Sequence, residues 1–191
     1  MQYKLTTPCT AEDLAPLKAG DTVLLSGVVY TARDQAHKRM LEALDKGEKL
    51  PFDLEGSAIY YVGPTPERPG EIIGSAGPTT SGRMDAMSPR LLDLGNKIMI
   101  GKGKRDAAVK EAVVRNGAVY LAALGGAGAL MAQSVKTLEV IAWPDLGCEA
   151  VRRLTVEDMP LTVILDAHGG DLYLSGPAAY KRQQGERAKE L

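Results

Sequence analysis

Short apolar runs rich in β-branched residues alternate with amphipathic helical stretches along most of this chain. That alternation restricts the fold more than any other feature, because it requires an α/β architecture with helices packed on a sheet. Residues 22–30 read as a strand buried on both faces. A helix over 33–44 follows, with Ala36, Met40 and Leu44 at i, i+4 and i+8, Asp34 in its first turn and Lys46-Gly47 as its stop. The pattern predicts further strands at 57–62, 97–100, 118–123 and 138–143, and helices at 106–115 and 127–135. Between 154 and 173 it shifts: 161–166 and 171–173 flank His168-Gly169-Gly170 like the arms of an antiparallel hairpin. From Lys181 the sequence turns polar and reads as a frayed end. With 191 residues, 45% of them hydrophobic, the chain can bury one sizeable core, and we take 1–175 as the domain and 176–191 as a polar tail.

Charge narrows the function classes. The formal net charge is −1 and the Lys and Arg residues are dispersed, so no footprint for nucleic acid is visible. No run approaches the ~20 apolar residues of a membrane span. The first eight residues lack the apolar stretch of a signal peptide, which points to a cytoplasmic protein. Cys9 and Cys148 stand alone, without a CxxC or Cys/His cluster, so inert or buried thiols are expected and no metal ligand set is signalled.

Three strand-to-helix junctions carry chemistry. Gly77-Pro78-Thr79-Thr80-Ser81-Gly82-Arg83-Met84-Asp85 is a glycine-led turn into a helix. Thr79 or Thr80 can cap that helix, leaving backbone N–H groups for an acidic ligand, and Arg83, four residues after Thr79, falls on the same helical face. A capped helix start with a solvated arginine has the same signature. Arg33 opens a helix directly after a strand, where open α/β sheets place ligands, and His37 shares its face, as a base or as a packed side chain. Gly101-Lys102-Gly103 is a glycine loop that suits a tight turn or an anion contact, but it lacks the spacing of a P-loop. Leu124-Gly125-Gly126-Ala127-Gly128-Ala129 fails the dinucleotide pattern and suits close packing. Together Arg33, Arg83 and Lys102 fit a dicarboxylate clamp, with bidentate arginines supplying orientation as well as charge. No nucleophile–base–acid set accompanies them, and Thr79 has too high a pKa to take a proton unaided.

The ordered set Ala32-Arg33-Asp34-Gln35-Ala36-His37, Gly77 to Asp85, Gly101-Lys102-Gly103, Gly125-Gly126 and Leu146-Gly147-Cys148-Glu149-Ala150 resembles the β-subunit, or C-terminal domain, of iron–sulfur-dependent class I fumarases. The tartrate dehydratase β-subunit is the close relative. The resemblance runs from Leu5 to about Tyr173. It implies a swivelling β/β/α domain with a mixed central sheet flanked by helices. It also implies an α-subunit that binds a [4Fe–4S] cluster through its own cysteines, whose iron acts as a Lewis acid on the substrate hydroxyl, in an assembly of α2β2 type.

By the same resemblance, Arg33, Arg83 and Lys102 match positions that bind substrate carboxylates, and Thr79 matches the catalytic base. His37 and Asp85 match residues placed to orient the arginines, and Glu149 is either similar or a plain loop carboxylate. The implied activity is that of a carbon–oxygen hydro-lyase: reversible hydration of fumarate to (S)-malate. Gly82-Arg83-Met84-Asp85 and Gly147-Cys148-Glu149-Ala150 resemble the fumarase branch more than the tartrate branch. The alternatives are dehydration of L(+)-tartrate to oxaloacetate, and a non-catalytic anion-binding or regulatory domain.

Overall fold

A computed structural model describes residues 1–123 and 126–187. The chain begins with β1 (Gln2–Thr6) and the short helix α1 (Ala11–Leu14), whose Thr10 and Asp13 form a reciprocal capping box. Next come β2 (Thr22–Thr31) and α2 (Asp34–Asp45), then β3 (Ala58–Tyr60), a 3-10 turn at Ser81–Met84 and α3 (Ser88–Asp93). The second half runs β4 (Ile98–Gly101), α4 (Ala107–Arg115), β5 (Val119–Ala122), α5 (Gly128–Gln133) and β6 (Val135–Ala142). A second 3-10 segment (Pro144–Glu149), β7 (Val151–Leu165) and α6 (Leu172–Arg187) complete it.

The sheet is mixed, in the order β1-β2-β3-β4-β5-β7-β6, with β1 to β5 parallel and β7 antiparallel to its neighbours. β7 also pairs with β2, so the pairings of β2, β3, β4, β5 and β7 close on themselves. Thr162 marks the closure, lying opposite Thr22 on one side and Ala122 on the other.

Strand periodicity divides the buried side chains into two cores. Ala58, Tyr60, Ile98, Ile100, Val119 and Leu121 join Val23, Leu25, Leu161 and Val163 in one cluster. The intervening Ile59, Tyr61, Met99 and Tyr120 belong to the other, with Ala36 and Met40 of α2, Leu91 and Leu92 of α3, and Val109 and Ala112 of α4. β2 is fully buried only at alternate positions, because one of its faces is incompletely covered, so the expectation of a strand buried on both faces is corrected.

The expected hairpin at 161–173 is replaced by the end of one long strand and the start of a helix. Residues 161–165 take their partners from β2 and β5, and the local segment adds only a bridge between Leu165 and Asp171. Asp166 shapes the reversal, its carboxylate accepting from the amides of Ala19 (2.8 Å), His168 (2.9 Å) and Gly170 (2.9 Å). α6 continues through Lys181 to Arg187, so the polar end is helical through that point rather than frayed.

Candidate functional site

The candidate residues gather at the carboxyl ends of β2, β3 and β4, where parallel strands of an α/β sheet present their loops. Arg33 occupies the N-cap position of α2 in extended conformation. Its Nη2 meets Glu149 Oε1 at 3.3 Å, and Glu149 Oε2 accepts from the amide of Gln35 at 3.0 Å. Glu149 thus places its charge at both the guanidinium and the positive end of α2. Gly63 flanks Arg33 so closely that a Cβ there would lie 2.8 Å from Nη1.

The Gly77–Asp85 turn lies between the ends of β3 and β4. Thr79 N donates to the Tyr61 carbonyl (2.8 Å) and Ser81 N to the Lys102 carbonyl (2.8 Å), while Thr80 forms a parallel bridge with Lys102. Gly101 makes this fit possible, since a Cβ would fall 2.0 Å from Ser81 Oγ. The expected capped helix is only a 3-10 turn whose Thr80 side chain makes no cap bond; Thr79 precedes it and shares no helical face with Arg83. Arg83 instead reaches α2, with Nη1 3.7 Å from Asp34 Oδ2. The described contacts therefore join Arg33's helix to Arg83, and the Thr79–Arg83 turn to the Lys102 loop. Arg83 and Lys102 are exposed, Arg33 and Thr79 partly buried.

His37 is fully buried, its Nδ1 donating to the Arg33 carbonyl (2.9 Å) and its ring edge-on to Tyr61. Desolvation lowers its pKa to about 4, with Arg105 adding to the fall and the Arg33 carbonyl and Asp34 opposing it. Asp85 does orient an arginine, but Arg105 rather than Arg33 or Arg83. Its Oδ1 takes Arg105 Nε at 2.6 Å and its Oδ2 takes the Asp106 amide at 2.7 Å. The reason is that Asp85 follows the 3-10 turn on its inner side. There Arg105 lies wholly buried, 5.4 Å from the Tyr61 ring and 5.0 Å from that of Tyr120, and donates to Ser88 Oγ at 2.8 Å. Arg105 is not among the residues that the sequence singles out.

Tyr120 and Tyr173 fasten the Lys102 loop: the Tyr120 hydroxyl donates to the Gly103 carbonyl (3.0 Å), and Gly103 N donates to the Tyr173 hydroxyl (3.1 Å). Gly125 lies outside the described residues; Gly126 has positive φ, and a Cβ there would meet nothing within 4 Å. Two cavities of about 440 and 500 Å³ border the 64–75 loop, and neither is lined by Arg33, Thr79, Arg83 or Lys102.

Among the described residues no group of three or more His, Cys, Asp or Glu side chains is placed to hold a metal ion. Cys9 is buried, which pushes its thiol up to about 11, whereas Cys148 is exposed. No helix of the described chain is long and apolar enough to cross a membrane.

Comparison with known proteins matches residues 1–176 to the family model "Fumarase C-terminus". A Methanocaldococcus jannaschii protein, provisionally named as an L(+)-tartrate dehydratase subunit beta, is 42% identical over 86% of this chain and 87% of its own length. The L(+)-tartrate dehydratase subunit beta of Escherichia coli is 31% identical over 100% of this chain and 96% of its own. Fumarate hydratase 2 of Leishmania major is 39% identical over 85% of this chain, but the match spans only 29% of that protein. The chain therefore corresponds to under a third of the length of this fumarate hydratase.

Proposed function

This chain belongs to the fumarase C-terminus family, and from that membership we propose that it is the β-subunit of a hydro-lyase that reversibly hydrates fumarate to (S)-malate. In this reading it supplies the dicarboxylate clamp and the catalytic Thr79, while a partner α-subunit carries the [4Fe–4S] cluster and the proton donor. The assembly is of α2β2 type and cytoplasmic.

One observation carries the reading. The buried side-chain atoms without a hydrogen-bond partner among the described residues are Arg33 Nε, Asp34 Oδ1 and His37 Nε2, all within one turn at the start of α2. An unpaired buried polar atom costs about 1–3 kcal/mol. Of these atoms only Arg33 Nε is a donor that an anionic ligand can satisfy, and Arg83 reaches the same turn through Asp34, 3.7 Å away.

Arg33, Arg83 and Lys102 bind the two carboxylates and fix the carbon chain between them. In the dehydration direction Thr79 Oγ1, as the alkoxide, takes the proton from the carbon next to one carboxylate. The C–H electron pair forms the double bond as the hydroxyl leaves the neighbouring carbon with a proton from the partner. The clamp cations stabilise both the alkoxide and the charge that builds on the adjacent carboxylate.

A second reading has its own support: the two tartrate dehydratase β-subunits match this chain over nearly their whole length. The clamp would serve L(+)-tartrate equally, since it differs from malate by one hydroxyl. Reconstitution with the cluster-bearing partner and steady-state assays on fumarate, (S)-malate and L(+)-tartrate decide between them. Fumarate hydration by the complex, and none by this chain alone, is expected. Tartrate turnover without fumarate hydration would transfer the assignment to the second reading, and turnover by the chain alone would remove the need for a partner.

A further inference from the structure

We infer that Glu149 is a positioning residue for Arg33, holding the guanidinium in the pose in which it meets a substrate carboxylate; this rests on the clamp reading above. An exposed ion pair would carry little weight, because such pairs contribute about 0–1 kcal/mol and are mobile. This pair differs: the Arg33 and Glu149 side chains are only 19% and 18% exposed.

Glu149 is itself held on several sides. Its Oε2 is fixed by the Gln35 amide. Arg152 fastens the segment that carries it, donating to the carbonyls of Gly147 (2.9 Å), Cys148 (3.0 Å) and Ala150 (3.0 Å). Arg39 holds Asp145 through both nitrogens at 2.9 and 2.5 Å. Thr31, wholly buried, accepts from Arg152 N and donates to the Ala150 carbonyl, joining the end of β2 to the start of β7.

On the opposite flank, Nη1 occupies space that a Cβ on Gly63 would approach to 2.8 Å. Glu149 engages Nη2 and leaves Nε as the buried, unpaired donor of the group. Nε and Nη2 share one edge of the guanidinium, so the contact at Nη2 fixes the direction in which the Nε–H points. A carboxylate ligand gains from an arginine already oriented, because freezing a long side chain at the moment of binding costs affinity.

The same geometry could make Glu149 a competitor, an internal carboxylate that the substrate must displace. The kinetics separate the roles, since a positioning residue strengthens substrate binding and a competitor weakens it. The test uses the chain assembled with its partner subunit, comparing wild type with Glu149→Ala, Glu149→Gln and Glu149→Asp. Loss of uniform binding raises KM and spares kcat. Glu149→Ala is expected to raise KM by about 10- to 100-fold, the range for a misplaced clamp group, with kcat nearly unchanged.

Glu149→Gln has one acceptor oxygen, so it keeps either the Gln35 amide or the Arg33 contact but not both, and should raise KM less than Glu149→Ala. Glu149→Asp keeps the charge but withdraws it by a methylene, and should behave like alanine. If the alanine variant fails to fold or assemble, the contrast between Gln and Asp decides. An unchanged or lowered KM in Glu149→Ala, or a Gln variant as impaired as Asp, overturns the inference while the clamp reading stands. A wild-type assembly that turns over neither fumarate nor tartrate overturns the clamp reading, and this inference with it.

Discussion

Because the Arg33 carbonyl can only accept, His37 carries its proton on Nδ1 and presents a bare Nε2 inside the protein. Its folded pKa, about 4, lies below the ordinary 6.5, so the unfolded chain takes the proton first as pH falls. The stability His37 contributes is therefore complete above pH 6.5 and drains away between 6.5 and about 4. Over that window the loss reaches about 3 kcal/mol by linkage. Asp21, Asp93 and Asp166 have lowered pKa values, so their contributions stay in place across this window and are lost only at lower pH. Urea unfolding at a series of pH values should show the decline, and His37→Gln should flatten it; an equal slope in the variant would assign it to another group. The clamp candidates stand out in the sequence because Arg33 and Lys102 follow strands and Arg83 stands in a glycine-led turn, where chain direction changes. Arg105 does not, and Glu149 carries two readings, an orienting residue or a plain loop carboxylate. Glu149 meets α2 from 114 residues away, and nothing local to Lys104-Arg105 announces that one lies in solvent and the other among tyrosine rings.

The 3-10 turn carrying Arg83 and the loop carrying Lys102 are separate elements joined by Asp85 and Arg105. Removing one member of a buried ion pair leaves an uncompensated charge, which costs about 3–5 kcal/mol. Asp85→Ala should therefore lose about that much in denaturant unfolding, and adding Arg105→Met should recover part of it by removing the stranded guanidinium. A single variant within about 1 kcal/mol of wild type, the scale of an exposed pair, would mean that the contact contributes little. The regular elements of the second half were readable to within a few residues because a short β-branched run or a 3.6-residue period is a local property. β7 was not, since its length is set by three partner strands rather than by its own pattern. The helix expected after Thr79 shrank to one turn for a related reason: the main-chain groups of Thr79 and Ser81 bind the ends of β3 and β4.

For the molecule as a whole, closure of the sheet through β7 sets where the folding unit ends. β7 joins the last parallel strand to the first half of the chain, and the cores on either side of the sheet share its residues: Leu161 and Val163 in one, Ile164 and Leu165 in the other. Within the closed circuit of β2, β3, β4, β5 and β7 no strand is a free edge, so a single cooperative transition is expected for it. α6 stands largely outside it. Leu172 and Tyr173 pack against the second core, but beyond them Leu174 is 64% and Tyr180 63% exposed. We propose residues 1–175 as the domain, and a chain ended at residue 175 keeps both packed residues and the Tyr173 hydroxyl that receives Gly103 N. Its unfolding free energy should lie within about 1 kcal/mol of the full chain, because exposed side chains removed from a surface helix contribute little burial. Tyr173→Phe in the full chain should leave stability similarly unaltered but loosen the loop beside Lys102, raising KM for a dicarboxylate in the assembled enzyme. A loss above about 3 kcal/mol on truncation, the scale of a large buried side chain, would place the helix beyond residue 175 inside the folding unit.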